Sequence, residues 1–151
     1  MNKISDFFAK QRVSFWLMIV SDLLSFVGLT ALLISNGTQN YAIDGIVGLI
    51  FAGIAAPALQ AAGIVSKTKY GEKIWADAIF LLSLICIGVC FAGVFINRLP
   101  LVVDLFIVRD VYNVFGMNAF VSGVTSMLSY LIAAVLLVVA SFMKHDAKER
   151  E

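Results

Sequence analysis

Asp22 is the sharpest chemical feature of this sequence. It lies about nine residues into an apolar run that begins at Val13, roughly 13 Å along a helix from that start. An ionised carboxylate at such a depth in a bilayer costs at least about 3 kcal/mol. The four apolar runs of the chain, read by hydropathy, contain no Lys, Arg or His, so no opposite charge is expected at its level. Three chemistries resolve this. Asp22 is protonated and hydrogen-bonded, with Ser25 one turn on and Gln60 in the second run as candidate partners. Alternatively it binds and releases a proton or cation during transport. In the third, it meets a basic residue on another protein's membrane helix. Asp22, Ser25 and Gln60 are therefore the candidate intramembrane polar site.

The other reactive side chains point to less. Cys86 and Cys90 are four residues apart in an apolar run with no His nearby, which suits small packing residues better than a metal site. The single histidine, His145, sits in the charged tail, so no Ser, His and Asp set is plausible. No glycine-rich phosphate loop follows a strand. No enzyme, metal or cofactor is expected. Ser122, Thr125, Ser126 and Ser129 could line a polar path, or could serve helix packing by bonding back to their own backbone. Packing is the favoured reading. Asp44 and Asp77 fall at helix starts and read as end-caps.

These residues need elements to position them, and composition says which. Of 151 residues 61% are hydrophobic and 14% charged, more apolar surface than one water-soluble core could hide. Mean hydropathy is +0.96. A bilayer core of about 30 Å needs about 20 helical residues. Four segments qualify: about 13–35, 43–65, 74–96 and 119–143. The expectation is an all-α membrane protein, a single four-transmembrane-helix bundle over 1–151. The first run is longer than a signal-peptide core and lacks a good small-x-small cleavage site after it, so it reads as a retained span. Lipid gives little hydrophobic drive between helices, so small residues and hydrogen bonds must join them. Stripes of small residues occur in each run: Ser14, Ser21, Ser25 and Gly28; Gly45, Gly48, Ala52 and Ala56; Ser83, Cys86, Cys90 and Gly93; Ser122, Ser126, Ser129 and Ala133. Pro57 should kink the second span and free a carbonyl near Gly53, which Gln60 or a neighbouring helix could use.

Charge gives an orientation. Nine of the eleven Lys and Arg residues precede the first span, separate the second from the third, or follow the fourth; only Arg98 and Arg109 lie on the other side. The positive-inside rule then places both termini in the cytoplasm, in a multi-pass protein of the cell membrane. Trp16, Trp75 and Tyr41 fall at interfacial positions. The start of the chain, with Ile4, Phe7 and Phe8 opposite Lys3 and Lys10, fits a short amphipathic lead-in or a frayed terminus. The outward segment 97–118 is long yet mostly apolar. Asp104 spoils an amphipathic helix there, Arg109 spoils an alternating strand, and Pro100 could start a short helix. Such a segment either rests on the membrane interface or docks a partner, with Asp104, Phe106, Arg109, Tyr112 and Phe115 as candidate contacts.

The function expected is that of a small accessory or interaction protein. It would live in lipid and pack with a larger membrane protein or with itself, and nucleic acid is not expected as a partner. The alternative is a small proton- or ion-coupled transporter using Asp22. In its four spans and the acid in the first, the chain is similar to small multidrug exporters. That family has shorter connections and a Glu in a different local context. Some members insert in both orientations, whereas the charge bias here predicts one.

Overall fold

The computed structural model describes residues 13–38, 42–70, 74–103 and 114–143. They form four helices: α1 (Val13–Gly37), α2 (Ile46–Tyr70), α3 (Ile74–Val103) and α4 (Val114–Phe142). Each is long and apolar enough to cross a membrane. In lipid a spanning segment must satisfy its own backbone, and a helix does so within one element. The amphipathic lead-in, the charged tail and residues 104–113 of the outer segment lie outside the described residues. So do four of the five partner-contact candidates, Asp104, Phe106, Arg109 and Tyr112.

The helices overrun the spans that hydropathy suggests. α2 continues to Tyr70, α3 to Val103, and α4 starts at Val114, with Phe115 in its first turn. Pro100 does not start a helix; it sits inside the end of α3, exposed. A proline removes one N–H bond and crowds the carbonyl four residues back. Here that carbonyl belongs to Ile96, which is also on the exposed side. The last turns of α3 gain a reason to stay helical from Leu101, which is buried with Ala119 and Phe120 of α4.

The helices close into a ring in chain order. α1 packs most extensively on α4, α2 on α3, then α3 on α4; α1 against α2 is the lightest of these pairs. The buried residues explain the geometry. In α1 they are Ser14, Met18, Ser21, Ser25, Gly28, Leu32 and Ser35, with Ala31 beside them. The intervals alternate four and three. α4 repeats this with Gly116, Ala119, Gly123, Ser126, Tyr130, Ala133, Leu137 and Ala140, and α2 with Leu49, Gly53, Ala56, Gln60 and Gly63. A buried stripe recurring every 3.5 residues keeps facing its neighbour only if the helices coil left-handedly around each other. α3 follows the same rule from Ala76 to Val94, then takes a second four-residue step to Arg98. That extra residue turns Arg98 inward.

Small residues let the backbones approach. The Tyr130 ring lies over Gly28, where an added Cβ would come within 3.0 Å of it. Phe80 lies over Gly63 in the same way, at 2.8 Å. The stripe expected in α2 is only partly the one used. Gly45 and Gly48 are exposed, and Gly45 instead supplies the positive φ of 70° that turns the chain into α2. Ala56 does face inward, packing in the core beside Met18, Phe80 and Tyr130.

Candidate functional site

Serine hydroxyls span the closest interface as a ladder. Ser14 donates to Ala140 O (3.1 Å), Ser21 to Ala133 O (2.8 Å) and Ser35 to Ala119 O (2.9 Å). Between the second and third rungs the direction reverses, with Ser126 donating to Gly28 O at 2.8 Å. Each rung is seven residues further along α1 and seven back along α4. α2 and α3 use the same register: Ser83 donates to Ala56 O (2.9 Å) and the Cys90 thiol to Leu49 O (3.5 Å). Ser122 and Thr125 bond back to carbonyls of their own helix, Asn118 O and Val121 O. They line a cleft of about 570 Å³ between α1 and α4, together with Ile34, Thr38 and Val121. Ser126 and Ser129 are buried, so the four hydroxyls do not share one path.

The first candidate site is partly assembled. Gln60 Nε2 donates to Ser25 Oγ (3.1 Å), and Ser25 Oγ donates to Ser21 O (3.0 Å). Gln60 is fully buried. Asp22 is half-buried and bonds to neither Ser25 nor Gln60; its Oδ1 is buried without a hydrogen-bond partner, and so is Gln60 Oε1. The helix register shows where Asp22 stands. Leu29 of α1 lies against Gly53 of α2. α1 and α2 are antiparallel, so two turns from that contact Asp22 and Gln60 come to one level. The carboxylate thus sits on the flank of α1 that faces α2, one turn from Ser25.

A third buried polar atom without an oxygen or nitrogen partner is the Tyr130 hydroxyl. It lies beside the Cys90 thiol and over Gly53. Cys86 and Cys90 are both free thiols. No three His, Cys, Asp or Glu side chains come together among the described residues.

Hydropathy misplaces one residue outright. Arg98, assigned to the outer loop, is 4% exposed inside the bundle, so the spans are not free of basic residues. Its Nε donates to Ser35 Oγ (2.9 Å) and its Nη2 to Ser35 O (2.8 Å). Ser35 is in the last turn of α1, where carbonyls lack helical partners and a cation is favoured. The Arg98 stem packs over Gly123. One side chain of α3 thereby ties α1 to α4 through Ser35 and Ala119. Asn97 braces the same end: its Oδ1 accepts from Asp44 N and its Nδ2 donates to Gly93 O, both at 2.9 Å. Arg98 is no partner for Asp22, because Ser35 is thirteen residues from Asp22, about 20 Å along the helix. Two adjacent residues after a hydropathy maximum, one cationic and one amide, were the available signal.

At the other end Lys67 pairs with Asp77 at 3.0 Å and lies 5.0 Å from the centre of the Phe80 ring. Asp77 therefore does more than cap α3: it joins α3 to the end of α2. Beside it a cleft of about 320 Å³ opens between α3 and α4, lined by Asp77, Leu81, Leu84, Val138, Ser141 and Phe142.

No family model, curated protein or solved structure matches the chain.

Proposed function

We propose that this chain is a small integral membrane accessory protein, with both termini in the cytoplasm. It packs against a larger membrane protein, or against its own copies, through its outward end. One observation carries the reading. α3 has thirty residues, about 45 Å of helix, against a hydrocarbon core of about 30 Å. Its last turns pass beyond the level at which Arg98 ties to the end of α1, and they keep an apolar surface. Leu99 is 53% exposed there, with Val102 and Val103 also open. Apolar side chains beyond the lipid favour a protein surface to cover them. Five buried serine hydroxyls, of Ser14, Ser21, Ser35, Ser83 and Ser126, are engaged in joining helices, which suits a packing module better than a conduit.

The test is cross-linking in native membranes. With Cys86 and Cys90 replaced, single cysteines at Leu99, Val102 or Val103 should form one discrete cross-linked species. Its mass tells a second copy from a different partner. Full reaction with a water-soluble maleimide and no cross-linked species would overturn the reading.

A second reading has its own observation. Asp22 Oδ1 and Gln60 Oε1 are both buried without a donor, as a proton- or ion-coupled transporter would need at its binding site. If Asp22→Asn abolishes proton-linked flux in reconstituted vesicles, this reading stands; if wild-type vesicles show no such flux, it fails.

A further inference from the structure

We infer that Asp22 and Gln60 together hold one exchangeable proton, carried by the Asp22 carboxylic acid and donated to Gln60 Oε1. The inference goes beyond the accessory reading and does not depend on it.

Hydrogen counting leads there. Ser25 has one hydroxyl proton, and it goes to Ser21 O. Ser25 Oγ can then face Gln60 only as an acceptor, and it accepts from Nε2. This orients the amide, with Oε1 turned away from Ser25. Oε1 belongs to a fully buried side chain and needs a donor. Asp22 is at its level on the facing helix, and the carboxylate Oδ1 is buried with no donor either. If the carboxylate were ionised, two acceptors without donors would lie at one level in an apolar interior. One proton on Asp22 removes the charge and gives both oxygens a single shared bond.

Other groups on the surrounding helices are committed or distant. On α2, Lys67 is two turns beyond Gln60 and paired with Asp77. On α3, the Cys90 thiol donates to Leu49 O and Cys86 carries only a weak S–H donor. On α4, the Tyr130 hydroxyl is at the level of Gly53, two turns from Gln60. Among the described residues Asp22 is the titratable group at the amide.

Release of the proton has a defined consequence. The Asp22 O–H bond breaks and the proton is taken up by water that reaches the half-buried carboxyl from the membrane surface. The amide then turns over. Nε2 donates to the carboxylate, and Oε1 accepts the Ser25 proton, which leaves Ser21 O. Asp22, Gln60, Ser25 and Ser21 thus form a chain with two hydrogen-bond polarities, chosen by one proton.

Infrared difference spectroscopy on the reconstituted protein, titrated with pH, tests this directly. A carboxylic acid C=O band should be lost as pH rises, and Asp22→Asn should lack it. The amide introduced by Asp22→Asn keeps a donor for Gln60, so that variant should fold. Gln60→Met should move the band to higher frequency, since the acid loses its acceptor. If Gln60→Met does not fold, a chain with Gln11 and Gln39 replaced and side-chain ¹³C-labelled glutamine serves instead: the amide C=O band must shift in step with the acid band. A wild type without an Asp22-dependent acid band at any pH overturns the inference. An acid band that ignores Gln60 overturns it too. A titration that moves when sodium replaces choline would show a metal cation competing for the oxygens, and would overturn a site for the proton alone.

Discussion

Arg98 shows how one side chain can hold an end of the bundle. It places two charge-assisted hydrogen bonds on Ser35, at a helix terminus that needs donors. Replacing it with Met should cost about 3 kcal/mol, because bonds to a charged group are lost and the Ser35 carbonyl is left short of a donor. Arg98→Lys should recover part of that, since an ammonium cannot fork across both oxygens. Reversible unfolding in mixed micelles would measure both; an Arg98→Met protein as stable as wild type would refute the tie. The Lys67–Asp77 pair ranks far lower. Asp77 is 70% exposed, so Asp77→Asn should change stability by less than about 1 kcal/mol. Tyr130 offers the opposite sign. Its hydroxyl is buried with only the weakly accepting Cys90 sulfur beside it, so Tyr130→Phe removes a poorly satisfied group while keeping the ring over Gly28. That substitution should leave stability unchanged or raise it by up to about 1 kcal/mol in the same assay.

Between elements, the serine ladder makes a graded prediction. Hydrogen bonds between membrane helices contribute about 0.6 kcal/mol on average, because the separated helices find other partners in lipid. Ser21→Ala should therefore cost that little, while Ser21→Leu, which fills the space between α1 and α4, should cost about 1–3 kcal/mol by overpacking. A Leu at the exposed neighbour Val20 should be neutral. Steric-trap or micelle unfolding that ranked Ala and Leu at Ser21 equally would argue that the rungs do not set the spacing. The stripe Ser14, Ser21, Ser25 and Gly28 is legible in the sequence because small residues stand out among Leu, Val and Phe. The stripe of α2 is harder to read. Its inward face includes Leu49 and Gln60 while Gly48 faces out, and hydropathy cannot tell a lipid-facing side from a helix-facing one when both are apolar. Four long apolar helices follow from composition and length. Where they stop does not. Arg98 lowers the local hydropathy and so reads as loop, although its charge is matched inside the bundle. Ser25 and Gln60 stand out as polar groups in apolar runs, but their bond to each other, and the position of Asp22 at the level of Gln60, depend on a register between helices that the sequence leaves open.

For the whole molecule the open variable is direction. Helices and contacts are the same whichever way the bundle lies, so only charge distribution speaks to it. Nine basic residues flank one side and Arg109 remains on the other, since Arg98 is inside the bundle. Burial of Arg98 strengthens the bias, because a side chain capping α1 no longer counts as a loop charge. The positive-inside rule acts through flanking residues near the spans, and Lys67 and Lys69 in the last turn of α2 lie where it applies. In a chain with Cys86 and Cys90 replaced, a cysteine at Thr38 should react with a membrane-impermeant maleimide in intact cells. A cysteine at Lys69 should react only after permeabilisation. If both react from outside, the chain inserts both ways and the objection to a two-orientation transporter falls. If the pattern is reversed, the overrunning end of α3 and α4 points into the cytoplasm. The proposed partner surface at Leu99, Val102 and Val103 would then belong on the cytoplasmic side, because apolar side chains that emerge from lipid favour cover on whichever side they emerge.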